Sequence, residues 1–116
     1  MIDKVTLDAV FAAITDAWQP VVIGELNGQQ VKAAKFRGAF IWHRHTAEDE
    51  CFLVHRGRFR MEFRDRSVEV RAGEFIIVPR GVEHRPVVEE WAEVVLFEPS
   101  GTVRTGDAMM PGDTIR

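Results

Sequence analysis

The spacing of apolar residues along this chain changes once, near Pro20. Before that proline, apolar residues recur at steps of three and four, which is the spacing of one helix face; they are Leu7, Val10, Phe11, Ile14 and Trp18. Thr6 is a candidate N-cap, and a helix cannot continue through Pro20. The pattern therefore predicts one helix over residues 6–18, with the N-terminal segment (residues 1–18) packed on the domain that follows.

After Pro20, apolar and polar residues alternate, as they do in β-strands. Asn27-Gly28 favours a tight hairpin, because both residues tolerate a positive φ. The predicted strands cover residues 21–26, 30–36, 39–45, 50–56, 58–64, 68–71, 75–79, 83–88 and 91–98. So many short strands without intervening helices predict an all-β sandwich or barrel over residues 19–98. Residues 99–116 are rich in Gly, Pro, Asp and Thr, and we expect a partly flexible C-terminal arm.

Composition narrows the class of partner. The 116 residues suffice for one domain, and a formal net charge of −3 argues against a nucleic-acid or anionic-membrane partner. Cys51 is the single cysteine, so an internal disulfide cannot form, which fits a reducing cytoplasm. No apolar run has the length of a signal-peptide core or a membrane span. We therefore expect a cytoplasmic protein with neither a nucleic-acid nor a membrane partner.

Candidate metal chemistry is concentrated in two short segments. His43 and His45 lie one residue apart, which places both side chains on one face of a strand. Glu50 begins the next apolar run, and His84 lies further along the chain. Three imidazoles and a carboxylate are the ligands that divalent transition metals prefer. We predict that these four residues bind one metal ion.

The spacing in the same two segments resembles that of the cupin family. The first segment reads H-x-H, four residues, Glu, six residues, Gly, and the second reads Gly, five residues, P-x-G, two residues, His. The matching positions are Gly38, His43, His45, Glu50 and Gly57, followed by Gly73, Pro79, Gly81 and His84. Two departures are that Gly38 stands one residue closer to His43 than is usual, and that Val88 replaces an asparagine.

This resemblance implies a jelly-roll β-sandwich or barrel with one N-terminal helix. It also implies that His43, His45, Glu50 and His84 are the ligands of one divalent transition metal, which could be Fe, Mn, Ni, Cu or Zn. Asp49 remains an alternative carboxylate, since the family spacing also allows three residues after the second histidine.

Alternation from the candidate ligands predicts which side chains share their cavity. The predicted lining is apolar and consists of Ile41, Phe52, Val54, Phe59, Met61, Phe63, Pro86 and Val88. No Lys or Arg is predicted to point inward. On the outer face, alternation predicts a contiguous apolar set of Phe40, Trp42, Cys51 and Leu53. Either the helix or a second subunit must cover such a face, and the resemblance favours a homodimer.

The function that these predictions favour is that of a metal-dependent enzyme, either a dioxygenase, an isomerase or a lyase. Its ligand would be a small, largely apolar molecule that coordinates through oxygen. One alternative is a non-catalytic cupin that binds a metal and a small ligand for sensing or storage. Another is a cupin resembling sugar-phosphate isomerases, which the absence of inward cations disfavours. Family members that rely on an active-site tyrosine are also disfavoured, because the chain has no tyrosine.

Overall fold

The computed structural model describes residues 2–108. In that range it has one short helix, α1 (Leu7–Ala12), and seven strands. The strands are β1 (Val21–Leu26), β2 (Gln29–Ala39), β3 (Glu50–Arg56), β4 (Arg58–Phe63), β5 (Ser67–Arg71), β6 (Phe75–Val78) and β7 (His84–Pro99). Among residues 2–108, no helix is long and apolar enough to cross a lipid bilayer. The predicted all-β class with one N-terminal helix is confirmed.

Strand β7 connects the two layers of the sandwich. It is 16 residues long and pairs antiparallel with β2, β3 and β4. Residues 93–97 of β7 pair with β3, whereas residues 84–87 pair with β4. Strands β1 and β6 form the edges of the order β1-β2-β7-β3-β6, and β5 extends β4. Because β3 and β4 join different halves of β7, the sheet folds over into a jelly roll around an enclosed core.

A bulge in β7 replaces the turn predicted at Glu89 and Glu90. Phe36 of β2 lies opposite Ala92, but Gly38 lies opposite Val88, so residues 89–91 of β7 face a single residue of β2. Such an insertion bends a strand without ending it. The predicted strands 83–88 and 91–98 are therefore one strand, and the prediction of a break between them is wrong.

The core has two clusters. Between the layers lie twelve buried apolar residues: Ala34, Phe36, Phe52, Val54, Phe59, Met61, Val70, Val78, Val88, Ala92, Val94 and Leu96. A second cluster forms where Phe11 and Ile14 pack on Ala33 and Val95, with Leu53 beside them. The N-terminal segment therefore covers some of the outer face of the sheet.

The helix is shorter than the predicted 6–18. It ends at Ala12, and the chain then runs to the sheet, where Ala17 forms a parallel bridge with Lys35. The Trp18 amide donates to the Lys35 carbonyl at 2.9 Å, and Trp18 has a φ of 63°, unusual for a bulky residue. Because residues 17 and 18 bond to the backbone of β2, they cannot continue the helix. The spacing of apolar side chains contains no information about these backbone bonds.

The predicted strand 39–45 is also mostly wrong. Only Ala39 belongs to a strand, β2, and the rest forms one isolated bridge between His43 and His84. Without strand geometry the alternation fails, so Phe40, predicted to point outward, is buried and packs against Trp18. Trp42 lies under the guanidinium groups of Arg64 and Arg85 instead. The contiguous apolar outer face predicted for Phe40, Trp42, Cys51 and Leu53 therefore does not exist.

Candidate metal centre

The four predicted ligands come from three segments of the fold. His43 and His45 lie in the segment after β2, Glu50 is the first residue of β3, and His84 is the first residue of β7. The backbones of His43 and His84 are joined by two N–H to O=C hydrogen bonds of 3.1 and 2.9 Å. All four side chains are buried, and one potential ligand atom from each lies within 4.8 Å of the others. The structure thus brings the predicted set together.

Backbone carbonyls fix the orientation of two of the rings. The Nδ1 of His43 lies 2.8 Å from the Ile41 carbonyl, and the Nδ1 of His84 lies 2.8 Å from the Val82 carbonyl. A carbonyl can only accept, so Nδ1 carries the proton, and Nε2 keeps a lone pair in the neutral ring. This arrangement is typical of histidines that bind metals through Nε2.

The remaining ligand atoms lack partners. Among the described residues, His45 Nε2, His84 Nε2 and Glu50 Oε1 are buried without a hydrogen bond. Glu50 Oε1 lies 2.8 Å from His45 Nε2 and 3.7 Å from His84 Nε2, without hydrogen-bond geometry to either. Leaving three buried polar atoms unsatisfied is costly. A divalent cation would satisfy all of them at once, so these residues fit a metal and could bind one.

Protonation in this cluster favours the same conclusion. Burial, followed by the charge of His84, lowers the pKa of His43 to about 4, so its ring is neutral at pH 7. Burial opposes ionisation of Glu50, but its interactions with His45 and His84 outweigh that cost and hold its pKa below the usual range. A neutral imidazole and an ionised carboxylate are the forms that bind metal ions.

Asp49, the alternative carboxylate, lies elsewhere. Its Oδ1 accepts from the Arg80 amide at 2.8 Å, and its carboxylate also pairs with the Arg80 guanidinium. These contacts hold the pKa of Asp49 below its usual value. The structure therefore places Glu50, and not Asp49, beside the three histidines.

A small cavity of about 40 Å³ lies beside the candidate ligands His43 and Glu50. Its other walls are Trp18, Pro20, Phe36, Phe40, Phe52, Pro86, Leu96, Glu98 and Arg104. Of the predicted lining, Phe52 and Pro86 face this cavity. Val54, Phe59, Met61 and Val88 lie in the core, and Phe63 packs at its edge. Ile41 is half-buried and contributes its carbonyl to His43.

Two charged residues of the cavity were missed by sequence reasoning. Glu98 follows the buried Val94 and Leu96 at steps of two, so alternation along β7 could have identified it. Arg104 lies after the last strand, where the sequence carries no periodic signal. Its position in the wall places a cationic residue beside a cavity for which none was predicted.

Glu98 is an unusual buried acid. Its Oε1 lies 2.7 Å from Lys32 Nζ, and both side chains are buried from solvent. Its Oε2 has no hydrogen-bond partner among residues 2–108. Burial and the neighbouring Glu50 carboxylate raise the pKa of Glu98 to about 9, against the effect of Lys32. A carboxyl group that can carry a proton at neutral pH thus lies beside the candidate metal ligands.

Comparison with known proteins agrees with this geometry. The family model described as a cupin domain matches residues 33–99. A cupin-2 domain containing protein from Shewanella frigidimarina NCIMB 400 is 37% identical, with a TM-score of 0.80 over 82% of this chain and 93% of that one. Protein NMB1881 from Neisseria meningitidis is 34% identical, with a TM-score of 0.77 over 84% of this chain and 100% of that one.

A match to a curated protein covers a shorter stretch of the chain. The uncharacterized protein YdbB of Bacillus subtilis (strain 168) is 36% identical over 64 residues, which are 54% of this chain and 57% of that protein. The match thus spans little more than half the length of the curated relative.

Proposed function

This chain belongs to the cupin family, and on that premise we propose that it is a metal-dependent enzyme acting on a small, oxygen-bearing molecule. One observation carries the proposal. The buried cluster of His43, His45, Glu50 and His84 contributes to a cavity wall instead of being closed on all sides. Catalytic metal sites keep an open coordination position, whereas structural sites are closed by protein ligands.

We further propose that the reaction moves a proton, as in an isomerase or a lyase. A bound divalent metal would supply Lewis-acid polarisation of a ligand oxygen. Glu98 supports proton transfer in preference to dioxygen chemistry, because it borders the cavity and its buried Oε2 has no hydrogen-bond partner in the described stretch of the chain. Lys32 fixes the other carboxyl oxygen and so orients Oε2. Glu98 thereby provides the acid–base group that the metal ligands themselves do not provide.

Cys51 supports a location in the cytoplasm and takes no part in the proposed reaction. It is a free, partly buried cysteine, and burial raises the pKa of its thiol. A thiol that stays protonated is a poor nucleophile and acts as a packing group.

Hydrogen–deuterium exchange tests the proposed chemistry directly. Metal-loaded protein would be incubated in deuterated buffer with small oxo acids, ketones and sugars, and exchange next to the carbonyl followed by proton NMR. We expect exchange that depends on the metal and that falls by about 100-fold or more in Glu98→Gln, the range for loss of a general acid or base. The Glu98→Gln protein should retain its metal.

Glu69→Gln is the matched control, because Glu69 pairs with Arg71 on the exposed surface of β5. It should leave the exchange rate unchanged. Metal-loaded wild type that binds these compounds without any exchange would favour the non-catalytic sensing or storage alternative. Equal exchange in wild type and Glu98→Gln would exclude Glu98 as the acid–base group.

A further inference from the structure

The segment after β7 carries Arg104 into the wall of the metal-site cavity. Thr102 and Thr105, on either side of Arg104, are buried, although the segment has no regular secondary structure. The Asp107 amide donates to the Arg44 carbonyl at 2.9 Å, and the Arg44 amide donates to Asp107 Oδ1 at 3.0 Å. Arg104 is therefore held by packed neighbours on a fixed segment.

Gly106 strengthens this attachment. It has a φ of 57°, and a Cβ at this position would meet the carbonyl of Arg44 and the ring of His43. The close backbone approach docks the segment directly on the chain that carries two candidate metal ligands. Arg104 thus belongs to the same rigid assembly as the metal centre.

The charges around the cavity favour an anionic ligand. Among the four candidate ligands, Glu50 carries one negative charge. The two positive charges of a divalent cation would exceed it, so the occupied site would have a net positive charge. Lys32 and Glu98 form a buried pair, which adds no net negative charge whichever of the two carries the proton. Arg104 adds a positive charge to the wall. Arginine has five donors, so it can bind a carboxylate while it keeps a protein contact.

The space beside the metal centre limits the ligand's size. The cavity volume of about 40 Å³ leaves room for only about three water molecules or a ligand of similar size. Trp18 stacks on Phe36 at 4.5 Å and on Phe40 at 4.7 Å between ring centres, so one side of the cavity is closed by aromatic rings. A compact ligand with few carbon atoms matches this space better than a sugar.

We propose that Arg104 is the anion-recognition residue of this cavity, and that the ligand is a small carboxylic acid bearing a second oxygen function. This inference rests on the proposed function, since the second oxygen is the group that would face the metal. It differs from the small, largely apolar ligand expected from the sequence in that the carboxylate would be bound by a cationic side chain as well as by oxygen coordination to the metal. The specificity of the site is then set by a residue outside the β-sandwich.

Pyruvate and pyruvamide are suitable probes, because they have nearly the same size and differ in charge. Calorimetric titration of the metal-loaded protein should show tighter binding of pyruvate. In Arg104→Gln the affinity for pyruvate should fall about tenfold or more, as expected for loss of a charge-assisted hydrogen bond. The affinity for pyruvamide should change less than about twofold. Arg104→Lys should retain some of the preference for pyruvate.

Arg80→Gln is the matched control, because Arg80 is exposed and pairs with Asp49 outside the cavity lining. It should leave both affinities unchanged, and metal content should be equal in all variants. An undiminished preference for pyruvate in Arg104→Gln would overturn the inference. So would an equal loss of affinity for both probes in that variant. The inference would also be wrong if metal-loaded wild type bound neither probe. A wild-type protein that takes up no metal would instead overturn the proposed function.

Discussion

At the scale of single residues, the three candidate ligand histidines differ from His55 in their surroundings. His43, His45 and His84 converge on Glu50 inside the barrel, whereas His55 pairs with Asp8 on the outer face, at 2.9 Å. Substitution should therefore distinguish the three candidate ligand histidines from His55 by their effect on metal content.

Replacing His45 or His84 by Ala should remove most of the bound metal, because each change deletes one of four convergent donors. His55→Ala should retain the wild-type metal content. Elemental analysis of protein purified without chelator measures this difference. Equal loss of metal in all three variants would indicate general unfolding and would contradict the ligand assignment.

The metal-free protein should lose stability in mild acid. His43 has a pKa of about 4 when folded, against 6.5 for an ordinary histidine, so protonation favours the unfolded chain. Stability should fall as the pH drops from about 6.5 to about 4, by about 3 kcal/mol at most. Glu50 acts in the same direction below its usual pKa of 4.5, because its folded pKa is lowered.

Urea unfolding of chelator-treated protein at pH 7 and at pH 4.5 tests this pH dependence. His43→Gln should show a smaller loss of stability between the two pH values than wild type, while His55→Gln should behave like wild type. An unchanged loss in His43→Gln would show that other groups cause the acid sensitivity.

Sequence reasoning identified the four candidate ligands, which the structure brings together, but missed two charged residues of the cavity. The histidines and Glu50 are visible because their spacing repeats that of known cupin motifs. Glu98 was overlooked because a glutamate near the end of a strand is usually solvated, although alternation from Val94 and Leu96 places it on the buried face. Arg104 could not be found, since its position depends on how an irregular segment docks on Arg44.

At the scale of elements, the close packing of the Arg104 segment on the Arg44 backbone depends on Gly106. Gly106→Ala should destabilise the protein by about 1–3 kcal/mol, because the left-handed φ is strained for Ala and the new methyl meets the Arg44 carbonyl. Gly81→Ala is the control, since Gly81 also has a positive φ but open space around it. It should cost about 1 kcal/mol, which is the strain of the left-handed conformation alone.

Thermal unfolding of the two glycine variants measures the difference between them. A Gly106→Ala protein no less stable than Gly81→Ala would contradict the tight docking of the segment on the metal-ligand backbone.

The boundaries of the helix and strands show where the pattern of neighbouring residues was not enough to predict the structure. Strands β1, β3, β4, β5 and β6 match their predicted ranges within one residue at either end, because turn-forming residues lie between them. The errors fall where a tertiary hydrogen bond overrides the pattern. Residues 13–18 leave the helix to pair with β2, and the bulge at residues 89–91 keeps two predicted strands in one ladder. The predicted arm 99–116 is described only to residue 108, and the remainder lies outside the described residues.

At the scale of the whole molecule, the homodimer stays a prediction, although the surface first assigned to it is not exposed. Leu53 packs in the cluster formed by Phe11 and Ile14. The exposed apolar side chains of edge strand β6 are Phe75 and Ile77, with exposed fractions of 62% and 56%. Ile77 lies opposite Cys51 in the ladder. This edge is a better candidate for contact with a second copy.

Light scattering should give about twice the mass of the chain, 13.2 kDa, and Ile77→Lys should shift the protein toward monomer. Val22→Lys, at the opposite edge strand β1 and also on an exposed residue, should leave the mass unchanged. A monomeric wild type at micromolar concentration would contradict the homodimer, and a shift with Val22→Lys alone would place the contact on β1.

The three-way pairing of β7 has a consequence for synthesis on the ribosome. Strands β2, β3 and β4 all require a partner that ends at Pro99, so none of these ladders can close until nearly the whole domain has been translated. Contacts so distant in sequence are slow to form. Until then, the nascent chain presents open strand edges, such as the edge of β3 that will pair with β7, and such edges are prone to associate with other chains. Lower growth temperatures or chaperone co-expression should therefore raise the soluble yield more than changes to the surface of the finished fold.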